Sequence, residues 1–301
     1  MAFTRVPLAA RRGARRFAGV AATIVVSGLL ATACSSNLAG SAAGAPPVIT
    51  ASPTAPASGY DGLTRLPLSA YNTSEQDDDL LFRTRKALVV RCMKSRGNKT
   101  YSGQNMIRVA AKSSEGNEAV RPVGAWGYIG RATAKSRGFH TAVALPGGAG
   151  GGSGYSQKDF KACSAEADKQ LPGLANTDGW KLVRTLFDQS FQQTGTDQRV
   201  VTARKRWSAC MTAAGHPAQD PEELAAGPWD TDRPTANEIA AATAAESCTG
   251  SSRLAAVYFA VLTGYQRQLI SANSTALTAY QKQVAESTSR AARLLAGSSG
   301  S

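Results

Sequence analysis

Histidine is nearly missing from this chain: two occur in 301 residues, His140 and His216. A three-histidine metal centre is therefore excluded, and there is no His-Glu-x-x-His stretch to hold zinc. No serine sits in a Gly-x-Ser-x-Gly elbow, so that nucleophile motif is absent too. The five cysteines include no Cys-x-x-Cys pair, which argues against structural zinc. Glycines cluster from Gly147 to Gly154, but no Gly-Lys-Ser/Thr follows and G-x-G-x-x-G is not matched. That stretch reads as a linker and not as a phosphate cradle. Acidic side chains are also in deficit, 21 against 34 basic ones. Long apolar runs are lacking: Phe17 to Leu30 falls short of the roughly 20 residues of a comfortable bilayer span. Neither a cofactor nor a metal is expected.

What is present at the start has the order of an export signal. Arg5, Arg11, Arg12, Arg15 and Arg16 form a basic region, the apolar stretch follows, and Leu29-Leu30-Ala31-Thr32-Ala33 leads into Cys34. Small residues at Ala31 and Ala33 let a peptidase reach the backbone. The segment resembles a bacterial lipobox, although Ala31 stands where leucine is usual. The expectation is a signal peptide over 1–33 and a lipid on the sulfur of Cys34. More than one acyl chain there would give a stable anchor, since each buried CH₂ contributes about 0.8 kcal/mol. Removing the five arginines ahead of Cys34 leaves a charge of +8. The simplest account of that charge is a solvated basic surface, and it also suits anionic lipid or wall polymer. No Lys/Arg run with interleaved aromatics points to nucleic acid. Ser35 to Gly59 is Ala, Gly, Ser, Pro and Thr almost throughout, so 34–62 is expected to be a flexible tether.

Four cysteines remain: Cys92, Cys163, Cys210 and Cys248. An even number in an exported chain argues for two disulfides, with three possible pairings. An internal echo narrows the choice. Cys92-Met93-Lys94-Ser95-Arg96-Gly97 and Cys210-Met211-Thr212-Ala213-Ala214-Gly215 share the pattern C-M-x-x-x-G. Each ends an apolar-periodic stretch with Gly placed as a helix stop. Each is followed by a loop and a second cysteine. A duplicated unit with Cys92–Cys163 and Cys210–Cys248 is the simplest reading.

Helical periodicity dominates the rest. Ser74 ahead of Glu75, Asp77, Asp78 and Asp79 marks a helix start, with acids complementing the dipole. Leu81, Phe82, Leu88, Val89, Cys92 and Met93 then make one apolar face. Residues 97–155 are hard to read: Met106 to Val109 suits a short strand, and Trp126 to Ile129 is an aromatic cluster. Further helices are predicted over Ser156–Leu171, over Trp180–Phe191 and along Val200, Ala203, Trp207 and Met211. Asp220, Glu222 and Glu223 cap a short helix in a Pro-rich turn, and Thr235 with Glu238 opens an alanine-rich one. From Leu254 to Leu295 apolar residues keep helical spacing over about 60 Å. Bends are expected at Gly264 and within Ser271 to Thr275. The far end is expected to leave the core.

The chain is therefore read as mainly α, with two related disulfide-bonded halves, 63–176 and 177–301, and a long C-terminal helix. Leu66-Pro67-Leu68 with Tyr71, the two C-M-x-x-x-G motifs, Glu238 before Cys248 and the tail with Gln268 together carry a resemblance. Over roughly residues 63–285 the chain resembles the uncharacterised secreted lipoproteins of high-GC actinobacteria. The resemblance implies location and disulfides but no chemistry. Two classes of function stay open. One is a non-catalytic envelope module that contacts the membrane through Cys34 and a wall polymer or envelope protein. The other is a cell-wall hydrolase using paired carboxylates, which converge only in three dimensions.

Overall fold

A computed structural model describes residues 45–106, 128–139, 154–229 and 233–298. The expected signal peptide, Cys34, His140, the strand beyond Met106, Trp126 and the glycine stretch up to Ser153 lie outside the described residues.

Ten α-helices and no strand occur among the described residues. They are α1 (Gly59–Thr64), α2 (Glu75–Ser95), α3 (Arg131–Arg137), α4 (Gln157–Gln170), α5 (Asp178–Thr196), α6 (Gln198–Ala213), α7 (Pro221–Ala225), α8 (Ala236–Ser252), α9 (Leu254–Ala272) and α10 (Ser274–Ser298). A 3₁₀ turn, Pro67–Tyr71, sits between α1 and α2. The starts follow from side-chain chemistry. Ser74 and Thr235 form capping boxes with Asp77 and Glu238, and Ser156, Thr177, Asp197 and Asp220 cap α4, α5, α6 and α7. Each such cap satisfies an otherwise orphan N–H and stabilises its helix by about 1 kcal/mol. None of the described helices is long and apolar enough to cross a membrane.

The two halves repeat one device. Cys92 on α2 joins Cys163 on α4, and Cys210 on α6 joins Cys248 on α8, each with Cα atoms 5.6 Å apart. In both copies the second cysteine is buried and the first is half-buried. In both, the methionine after the first cysteine is fully buried. Burying such a side chain stabilises by about 1.5–3 kcal/mol. Both helices end in the same hydrogen-bonded stop. Asn98 N–H donates to the Met93 carbonyl at 3.0 Å, and His216 N–H to the Met211 carbonyl at 3.0 Å. The intervening glycines, Gly97 and Gly215, have φ of 92° and 81°. A side chain would be strained there, which explains the glycine in both motifs.

The halves are tied together through their helices: α10 packs along α2, and α3 lies on α8. Within the second half α5 rests against α9. The far end of α10 stays in the core, contrary to the sequence expectation. Ala291 is fully buried beside Val89, Met93 and Cys163, and its carbonyl accepts from Thr84 Oγ1 at 3.2 Å. A small residue lets α10 approach α2 closely, and composition alone hides that. The helical line does break after Ala272, within the expected polar run, where the Asn273 N–H turns back to the Leu269 and Ile270 carbonyls. It does not break at Gly264. That glycine instead makes room for Pro47, since an added Cβ would fall 2.5 Å from the proline Cβ.

Residues 45–58 therefore do not behave as the sequence suggested for a tether. They run along the body as a strap, and α1 continues them. Gln268 Nε2 donates to the Ala45 carbonyl at 3.2 Å and Arg199 Nη1 to Pro47 at 2.8 Å. Tyr128 Oη donates to Pro56 at 2.8 Å. Prolines leave carbonyls free to accept, and partners up to 223 residues away supply the donors. Arg199 is itself braced by Asp197, whose carboxyl its hydrogen bonds hold below the ordinary value. Nearby, fully buried Gln266 accepts from Leu68 N–H at 3.0 Å and donates to Ser190 Oγ at 3.2 Å. That satisfied polar bridge pins the 3₁₀ turn to α9 and α5.

Candidate functional site

The alanine-rich helix α8 is where the two halves meet a buried charge. Ala241, Ala242 and Ala245 are buried, and their small side chains allow α6 on one side and α3 on the other to come close. The Cys210–Cys248 bond fixes α8 to α6. Trp207 Nε1 adds hydrogen bonds to the Ala245 carbonyl at 3.3 Å and to Thr249 Oγ1 at 3.1 Å. On this immobilised helix Glu246 is only 7% exposed.

Glu246 is held by backbone. Its Oε1 accepts from Ile129 N–H and Gly130 N–H, both at 3.2 Å. Gly130 has φ of 87°, and a Cβ there would lie 2.7 Å from the Ala57 carbonyl oxygen. Glycine is thus required for the chain to pass between the strap and α8 and present those two amides. Tyr128 sets the neighbouring register: its carbonyl accepts from Gly59 N–H at 2.6 Å.

A cavity of about 320 Å³ opens at this meeting point of strap, α3, α8 and α9. Tyr128, Arg131, Glu246, Thr249 and Arg253 supply its polar wall, and alanines of the strap and of α9 supply methyl groups. Arg253 joins α8 to α9 in a left-handed backbone conformation, φ 57°. One of its N–H groups reaches the Pro53 carbonyl at 3.4 Å. Burial pushes the Glu246 carboxyl up to about 7, against the pull of the two amides and of Arg131. The Tyr128 phenol is raised by burial and then by the charge of Glu246. The site thus offers a carboxyl that changes charge near neutral pH, flanked by permanent cations.

A second carboxylate is not part of this wall. Glu238 lies on the same helix, eight residues away and so about 12 Å along its axis. It is fully buried under Gly138, where an added Cβ would meet its Cγ at 2.8 Å, and its Oε1 has no hydrogen-bond partner among the described residues. Carboxylate pairs for glycoside hydrolysis stand about 5–9.5 Å apart across one substrate. Glu238 does not line the cavity that Glu246 lines.

The residues singled out from sequence are distributed otherwise. The four later cysteines form the two disulfides, and Cys34 lies outside the described residues. Asp220 and Glu223 serve α7: Asp220 Oδ1 accepts from Glu223 N–H at 2.8 Å. His216 follows a helix stop, as its position after Gly215 implies. No group of three His, Cys, Asp or Glu residues suited to a metal ion occurs among the described residues. Sequence reasoning missed Glu246, Arg131 and Arg253. A signal for the first did exist. Glu246 falls four after Ala242 and three before Thr249, on the buried stripe of α8, where an ionisable residue is out of place. Comparison with protein-family models, with curated proteins and with solved structures finds no match.

Proposed function

We propose that this chain is an exported lipoprotein, anchored through Cys34 at the outer face of the cell membrane, and that it acts there by binding. It would then stand beside the secreted actinobacterial lipoproteins that its motifs resemble. The observation that carries the binding reading is the cavity wall: one buried carboxyl, Glu246, beside two arginines. That arrangement can hold a charged ligand, and among the described residues of its wall no second acid stands beside Glu246 to make the pair a carboxylate hydrolase needs. Two disulfides suit an oxidising compartment outside the cytoplasm. A charge of +8 after cleavage favours approach to anionic lipid, wall polymer or an acidic envelope protein, with salt screening over about 8 Å.

The address and the activity are tested separately. Cells fed a clickable fatty acid should label the wild-type protein and not Cys34→Ala; equal labelling would overturn the anchor. The purified protein should release no soluble fragments from peptidoglycan. Release that disappears in Glu246→Gln would establish the hydrolase reading instead, with the carboxyl near neutrality as its general acid.

A further inference from the structure

The groups around the cavity carry both signs of charge. Glu246 uses Oε1 for two backbone amides, while Oε2 receives no donor from the described residues, although the side chain is more than nine-tenths buried. Arg131 makes no hydrogen bond or ion pair among the described residues, and its influence falls on Glu246. Arg253 spends one N–H on the Pro53 carbonyl and has no acidic partner. Thr249 Oγ1 accepts from Trp207, which leaves its own proton to donate. Both guanidinium groups are exposed at the rim, where they can meet an anion, and a carboxylate oxygen with no donor among the described residues can accept from an N–H or ammonium. The alanine methyls of the remaining wall leave room for a small apolar group. A volume of about 320 Å³ is at the lower end for ligand pockets, too small for a polymer repeat to be enclosed.

We infer that this cavity binds a small zwitterion of the amino-acid or dipeptide class, its carboxylate held by Arg131 and Arg253 and its ammonium by Glu246. This rests on the binding reading of the same site and names its ligand. The carboxylate–guanidinium pairing sets orientation, because the planar guanidinium presents its N–H groups in a fixed fork. Glu246 then sets selectivity. A plain carboxylic acid would leave Oε2 without a donor, and a plain amine would leave both arginines unmatched. The strap closes one wall of the chamber, so a ligand there touches both halves of the fold and the segment that leads to the anchor.

The test is calorimetric titration of the detergent-purified full chain with each standard amino acid, with D-alanine and with alanyl-alanine. Propionate and ethylamine serve as arms carrying one charge each. At least one zwitterion should bind saturably, and each single-charge arm should be weaker by about tenfold or more. Glu246→Gln and the surface change Arg131→Gln should each lower the affinity by about tenfold or more, with unchanged circular dichroism. Propionate binding as tightly as the best zwitterion would overturn the role of Glu246 and with it the inference. So would the absence of saturable binding by every zwitterion. The binding reading itself is judged apart from this, by capture of wall polymer or envelope protein from cell-envelope extract. Capture without zwitterion binding sinks the inference alone, and neither result sinks both.

Discussion

Glu246→Gln is expected to make the protein more stable at alkaline pH and to leave it nearly unchanged in mild acid. The glutamine oxygen can still accept from Ile129 and Gly130 N–H, so the change removes a charge and keeps the shape. In the folded chain the carboxyl sits at about 7, against an ordinary 4.5. Between those values the folded protein keeps a proton that the unfolded chain has released. Stability therefore falls as pH rises from about 4.5 to 7 and is level above that. At about 1.4 kcal/mol per pH unit, the full effect is about 3 kcal/mol. For a body of this size that corresponds to about 6–12 °C in Tm. The facing groups do not confuse the window. The Tyr128 phenol is raised, away from it. Asp159 and Asp197 are held below their ordinary value, Asp159 chiefly by its hydrogen bond from Asn98 and Asp197 by those from Arg199. Their contributions are lost only at lower pH. Urea denaturation of wild type and variant at pH 4.5 and pH 8.5, followed by circular dichroism, gives the double difference. An equal gap at both pH values, or a wild type that gains stability toward pH 8.5 relative to the variant, would refute the reasoning.

Opening Cys210–Cys248 by alanine at both positions should cost about 4 kcal/mol, the chain entropy of a loop of this length, read as a lower urea midpoint. A loss below about 1 kcal/mol would show that the bond supplies something other than that entropy. Gly264→Ala should unseat Pro47, because the new methyl would fall 2.5 Å from the proline Cβ. Limited proteolysis should then cut residues 45–58 faster while the helical body keeps its circular dichroism; unchanged cutting would mean that the strap is not held at this point.

Much of the architecture could be read ahead of the structure because its signals are local. The caps at Ser74, Ser156, Asp220 and Thr235 act within three residues of themselves, and the start of each helix follows. The C-M-x-x-x-G echo is local as well. It encodes a helix stop and a buried methionine, and the disulfide pairing follows from applying the same unit twice. What escaped depends on partners far along the chain. Composition reports the entropy cost of ordering a Pro-Ala-Ser strap, yet it cannot report that Gln268, Arg199 and Tyr128 will meet its carbonyls. The far end of α10 is polar over most of its turns. Buried Ala291, Leu294 packed on the same cluster and the hydroxyl of Thr84 hold it on α2.

The site is the extreme case of that division. Glu246 on its own reads as one more solvated acid in an alanine-rich helix. Its character depends on Ile129 and Gly130, more than a hundred residues earlier, which deliver two amides to a place that α3 and the strap close to water. Arg131 from α3 and Arg253 from the junction of α8 and α9 likewise line one chamber. Periodicity can flag the glutamate as misplaced on a buried stripe, but only the assembled fold shows that its second oxygen faces a cavity and not a neighbour. Desolvation of the Glu246 carboxylate costs stability in the empty protein, whereas Arg131 and Arg253, exposed at the rim, keep their water. A ligand ammonium that pairs with that carboxylate is the physical reason such an arrangement would be retained.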